Sequence, residues 1–180
     1  MRTTIALAAV AAVASFGFVR SSPASVRPAA LDDATIVAIL EQANSADIAT
    51  GGLGAERAET KEVKDYGKML SQVHTAVNQK ARDLAKKLGV TPTPPKDDQA
   101  AKDHAAVMAR LRGLKGAAFE KAFLEHEQSY HAAVLTAVKG TIVPAIQNAE
   151  LKEFVVSLAP AFEAHRLAAE NLLKQQAAKP

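Results

Sequence analysis

The stretch FLEHEQSYHAAV, residues 123–134, sets Glu125, His126, Glu127 and His131 within seven positions of an otherwise apolar segment. Carboxylates and imidazoles are the side chains that bind zinc, iron or manganese, and Glu127 and His131, four residues apart, can share one helical face. Measured at about 100° per residue against the apolar stripe of their own segment, these groups do not all point the same way. Glu125, Gln128 and Ser129 fall on the outer side, His126 and Glu127 flank the stripe by roughly 45–55° on opposite sides, and His131 sits roughly 95° away, at its boundary.

The same measurement elsewhere finds polar groups aimed inward. Asp47 lies within roughly 20° of the stripe centre defined by Ile36, Leu40, Ala43 and Gly54, and His74 flanks its own stripe by roughly 60°. His165 lies near the middle of a stripe formed by Leu158, Phe162, Ala169 and Leu172. A buried carboxylate or imidazole must be hydrogen-bonded, neutralised or metal-bound, because leaving it bare costs several kcal/mol. Asp47, His74, Glu127, His131 and His165 are therefore candidate ligands for a divalent transition metal, Zn, Fe or Mn. The alternative is a metal-free network in which the same groups satisfy one another. His104 faces the same way as Val107, Met108 and Leu111 and reads as a hydrogen-bonding lid residue. Tyr130 reads as core, its hydroxyl free to meet an inward acid or histidine.

Helices must position these groups, since helical periodicity runs through almost the whole chain after residue 33 and no segment alternates with period two for long. A first helix is expected over residues 34–58, capped by Asp32 or Asp33, with the TGGLG glycines weakening it and letting another helix approach. Thr60 caps a second helix that ends at Gly89 and carries Val63, Tyr66, Leu70, Val73, Val77, Leu84 and Leu88. The proline-rich VTPTPPKDD is an extended connection to a short helix over 99–111. A fourth helix covers 117–138, KGTIVPAIQN interrupts the pattern, and a last helix covers 149–176 with a kink expected at Pro160. The fold class is all-α, a four-helix bundle of two antiparallel hairpins with the short helix in the crossover.

Depth supports one layer of ligands. With the first turn near residues 59–60, Asp47 and His74 fall at the same level to within roughly 3 Å. With the second near Pro144–Ala145, Glu127 and His131 match His165 to within several ångströms.

Composition fits this reading. The 180 residues are 48% hydrophobic and 23% charged with 4% aromatics, as expected of one packed domain. Residues 1–24 combine a basic start, an apolar run from Ile5 to Val19 and the tripeptide Ser22-Pro23-Ala24, a pattern that predicts a cleaved secretory signal peptide. That run is shorter than the roughly 20 apolar residues of a membrane span, which argues against a retained anchor. Residues 25–32 then form a linker, 33–176 the bundle and 177–180 a tail. The expected location is periplasmic or secreted, with no stable transmembrane segment after cleavage. There is no cysteine for a lipid attachment or a disulfide. The chain has 22 basic and 19 acidic residues, and the leader removes Arg2 and Arg20 and no acid, leaving 20 against 19. That balance, with no tryptophan, gives no reason to expect nucleic acid.

The stretches ANSADIATGGLGAE, YGKMLSQVHTAVNQKARDLAKKLGVTPTPP, FEKAFLEHEQSYHAAVLTAV and IVPAIQNAELKEFVVSLAPAFEAH together resemble the ferritin-like bacterial envelope proteins grouped as domain of unknown function 4142. The resemblance spans about residues 33–175. It implies a signal-bearing helical bundle in the envelope, without an assigned activity, and matches His74, His131 and His165 to histidines of the family's helical motifs. One departure is Val73, where the family usually has an aspartate before the second-helix histidine. A di-iron centre of the ferritin kind needs Glu-x-x-His pairs. Ser71, Ala101, Phe123, Gln128 and Phe162 stand three residues before the five histidines, so that centre is not expected. No nucleophile or phosphate-binding loop supports an enzyme. The reading is a non-enzymatic periplasmic metal-binding bundle, set against a metal-free envelope stress or scaffold protein with an envelope partner. A homodimer stays open in both.

Overall fold

A computed structural model describes residues 31–96 and 99–178 of the chain. The expected leader, residues 25–30 of the linker and the last two residues of the tail lie outside the described residues. The described chain is all-helical. α1 (Asp33–Arg57) begins where the Asp32 carboxylate accepts the Thr35 amide at 2.8 Å, satisfying one of the free N–H groups of the first turn. α2 (Lys61–Leu88) ends at Gly89, whose φ of +66° is the left-handed conformation that glycine reaches without strain. α3 (Gln99–Gly113) is the short helix, and α4 (Gly116–Ala137) carries the opening motif. α5 (Ala149–Ala177) starts at Asn148, which accepts the amides of Glu150 and Leu151 at 2.9 and 3.0 Å.

One local expectation is corrected. KGTIVPAIQN does not break the helical path at once, because α4 passes into a π-helical turn, Val138–Ile142, and one further turn, Val143–Ala145. α5 carries Pro160 inside it, as the sequence places it. Proline removes a single i→i−4 hydrogen bond there, and the packing of the helix face carries the chain past it.

α1 lies along α2 and α4 along α5, with α3 against α1 and α4. Backbones of α1 and α2 nearly touch where Gly51 faces Gly67. A methyl group on Gly51 would stand 2.7 Å from the Gly67 carbonyl oxygen, and one on Gly67 would stand 2.6 Å from the Ala55 nitrogen. Gly54 is filled from α4, since a methyl there would meet the Phe123 ring at 2.5 Å. Buried Glu120 closes the α1–α2 turn by accepting the amides of Glu59 and Thr60 at 2.7 and 2.6 Å, and it also takes Gln176 of α5 at 2.8 Å.

The apolar interior is divided. One cluster centres on Leu53, Leu70, Leu111, Phe119 and Phe123, and another on Ile36, Leu40, Val138, Leu151 and Val155. Along every long helix the sequence passes from one cluster to the other through polar side chains. No described helix is long and apolar enough to cross a membrane.

Candidate metal centre

Those polar side chains form a layer between the two apolar clusters. α1 contributes Asn44, Asp47 and Thr50, α2 His74 and Asn78, α4 Glu127 and His131, and α5 His165. The five residues expected from the sequence are all buried: Asp47 is 3% exposed, His74 1%, Glu127 0%, His131 1% and His165 6%. They meet in two overlapping groups that share His131. One is His74, His131 and His165, the other Asp47, Glu127 and His131, and within each the potential ligand atoms lie within 4.8 Å of one another.

Two placements are deeper than periodicity indicates. His131 is in the interior rather than at the boundary, and His74 is central rather than flanking. On α4 the buried face runs through Glu120, Leu124, Glu127, His131 and Leu135, while Tyr130 is only half-buried and Ala137 exposed. An apolar centroid is drawn away from the true face when the residues at its centre are themselves polar, so the stripe misplaces the groups it is meant to locate.

The hydrogen bonds fix which nitrogens are free. The Asn44 amide nitrogen donates to the Leu40 carbonyl at 2.7 Å, which turns its oxygen toward His74 Nδ1, also at 2.7 Å. A carbonyl oxygen only accepts, so His74 Nδ1 carries the proton and Nε2 keeps its lone pair. His131 is fixed in the same way, because Nδ1 faces the Glu127 backbone carbonyl at 2.9 Å. Its Nε2 then accepts from His165 Nδ1 at 3.3 Å and stands 3.9 Å from Asp47 Oδ1. Two nitrogens on one tetrahedral zinc, each about 2.0–2.1 Å from it, would be about 3.3–3.4 Å apart. Oriented imidazoles with the second nitrogen committed to a carbonyl are the usual support of a metal-ligating histidine.

His74 Nε2 and Asn78 Oδ1 lack a hydrogen-bond partner among the described residues, and so do Asp47 Oδ1 and both Glu127 oxygens as ionised carboxylates; a proton kept on one of the two acids lets it donate to the other. Burial also sets the protonation of the layer. It pushes His74 down to about 3 and His131 to about 4, and it lowers His165, so the imidazoles are neutral near pH 7. Asp47 is raised well above the usual carboxylate range by burial and by Glu127 beside it, and burial raises Glu127 to about 7. Neutral imidazoles and proton-retaining acids are the state such groups take when no cation balances them.

The surroundings hold the layer in place. The His74 ring stacks on Phe162 with centroids 5.8 Å apart, and the Tyr66 hydroxyl donates to the His165 carbonyl at 3.1 Å. Tyr130 does not meet an inward acid or histidine with its hydroxyl, which donates instead to the Ala43 carbonyl at 3.2 Å. His104 and His126 stand apart from both ligand groups and line a groove between α1, α3 and α4. Sequence reasoning missed Asn44, Thr50 and Asn78. Asn44 lies three residues before Asp47 and four after Leu40 on the same face, so the face argument applied to histidines and acids would have found it if extended to amides.

An all-helical chain whose interior carries a buried histidine–carboxylate layer is the class of protein that fold and site define. The chain belongs to the family described as Domain of unknown function (DUF4142), whose model matches residues 19–172. That span contains every residue of the layer. No match was found among curated proteins or solved structures.

Proposed function

We propose that the protein is a ferritin-like four-helix bundle of the periplasm or cell envelope that binds one divalent transition metal ion. In this reading α1–α2 and α4–α5 are the two antiparallel hairpins and α3 lies in the crossover. The ligands are drawn from Asp47, His74, Glu127, His131 and His165, and the role is binding rather than catalysis, since all five are closed off from solvent. The observation that carries the proposal is the meeting of these donors in two groups sharing His131, each within 4.8 Å. There His74 Nε2 has no partner, and the Asp47 and Glu127 oxygens are satisfied only if one of the two acids keeps a proton for the other. A metal-free network would be expected to satisfy those atoms, because each bare buried polar group costs roughly 1–3 kcal/mol. Two carboxylates also neutralise a dication, and mixed imidazole and carboxylate donors suit Zn, Fe or Mn.

Elemental mass spectrometry of the purified mature protein, supplied in turn with Zn, Fe and Mn, tests this. One ion per chain and a raised thermal midpoint are expected. Absence of stoichiometric metal with all three, and no thermal gain, would sink the proposal. The His74→Leu/His165→Leu double variant separates the metal-free alternative: it should abolish metal uptake, whereas a purely structural network would tolerate or even gain from apolar replacement.

A further inference from the structure

We infer that the ion reaches the buried layer through the groove between α1, α3 and α4, with His126 and His104 as transient ligands and Tyr130 as the gate. This rests on the metal-binding reading. The donors are almost wholly buried, so an ion has to pass through the protein to meet them. The groove has a volume of about 520 Å³ and includes Ala43, Ala46, His104, Val107, His126 and Tyr130 in its lining. Apart from Asp103 at its exposed mouth, its metal-binding side chains are those two histidines.

The wall between groove and layer is one side chain thick at Tyr130. Its ring lies 5.5 Å from the His126 ring on the groove side and meets the His131 ring edge-on at 6.1 Å on the other. Beside it the wall is made by Ala43 and Ala46, small residues that flank Asn44 and Asp47 on α1. A single hydrogen bond, from the Tyr130 hydroxyl to the Ala43 carbonyl, closes this gap. A swing of the side chain about χ1 breaks that hydrogen bond, lifts the ring from His126 and His131, and opens a path between them.

Outside the ring, the cover is also lightly held. The buried residues of α3 are Met108 and Leu111, both in its C-terminal half, so the half that carries Asp103 and His104 over the groove has no buried anchor. Elements with few buried contacts are the ones that open locally. His104 and His126 do not join any three-ligand group among the described residues, which suits transit rather than storage.

A residue on the route speeds or slows entry and exit by one factor and leaves the equilibrium constant alone. Stopped-flow mixing of the metal-free mature protein with Zn²⁺, and release of Zn²⁺ into excess chelator, measure both rates. His126→Ala is expected to slow loading and release together, each on the order of tenfold, with Kd unchanged. Tyr130→Phe, which removes only the hydroxyl, is expected to speed both. Circular dichroism and stoichiometric Zn²⁺ uptake establish that each variant is folded and competent. Unchanged rates in both variants, with full uptake, overturn the route and leave the binding site standing. A changed Kd at constant loading rate for His126→Ala also overturns it, since His126 would then be a ligand. Failure of the unaltered protein to take up Zn²⁺, Fe²⁺ or Mn²⁺ overturns route and site together.

Discussion

Glu127 shows how one buried group ties metal binding to pH. It stands fully buried beside Asp47, and burial raises its acid to about 7 from the ordinary 4.5. Below about 7 the metal-free protein therefore holds a proton there that a bound dication must expel. Metal affinity should climb about tenfold per pH unit for each proton released, and the Glu127 contribution should level off above pH 7. Asp47, also raised, acts in the same direction. Calorimetry in buffers of different ionisation enthalpy would count the protons, with more released at pH 6 than at pH 8. Stability of the metal-free protein follows from the same shifts. The Glu127 contribution is present below its unfolded value of 4.5 and lost as pH rises through about 7, whereas those of His74 and His131 are present above 6.5 and lost as pH falls toward about 3 and 4. The thermal midpoint should thus peak in weakly acidic solution, and Glu127→Gln should lessen the decline on the alkaline side, leaving the part that Asp47 contributes. Asn44 acts one step further out. Asn44→Leu would free the His74 tautomer and should weaken metal binding by about 10–100-fold with the helices intact, as read by chelator competition. The buried acids and histidines were legible because a titratable group on an apolar face is conspicuous, while Asn44 was not, because an amide there raises no electrostatic alarm.

At the scale of elements, the glycines of α1 separate close approach from mere tolerance. Gly51 meets the backbone of Gly67, which no rotamer change can relieve, whereas a methyl on Gly52 would meet nothing within 4 Å. Gly51→Ala should destabilise by about 1–3 kcal/mol through overpacking, and Gly52→Ala should stabilise by about 0.5–1 kcal/mol through helix propensity. Urea unfolding of the two variants checks the sign of each, and equal effects would mean that α1 and α2 are not in backbone contact. This contact was readable in outline, since TGGLG in a helical pattern already suggests a neighbour. Helix boundaries were likewise readable from caps and turn residues, as at Asp32 and Gly89, although Thr60 stands at the start of α2 with its hydroxyl given to Glu120 rather than to a capping bond. The level of α4 against α5 was less so. A turn placed at Pro144–Ala145 assumes an ordinary hairpin, but the π-helical turn at Val138–Ile142 adds residues without the usual rise. A face argument based on apolar residues also fails where the face is polar, and His131 was misplaced for that reason.

For the whole molecule, the polar layer is a seam across the interior. Apolar clusters above and below it tie the helices by ordinary burial, while the layer itself holds buried polar side chains contributed by all four long helices. An ion held by His74, His131 and His165 would bond to α2, α4 and α5, and one held by Asp47, Glu127 and His131 to α1 and α4, so either would join the α1–α2 pair to the α4–α5 pair through the middle. Binding energy of this kind is stability of the folded state, about 2.7 kcal/mol at free metal a hundredfold above Kd. Its distribution is the sharper consequence. Amide exchange around residues 44–50, 74–78, 127–131 and 162–165 should slow on adding metal, because opening any one of these segments then requires breaking a ligand bond. The first half of α3, with no buried residue and no ligand in the layer, should exchange at the same rate with or without metal. Hydrogen exchange followed by mass spectrometry distinguishes this from a general tightening. Equal slowing of the layer and of α3 would mean that the ion, wherever it binds, does not bridge the two pairs of helices.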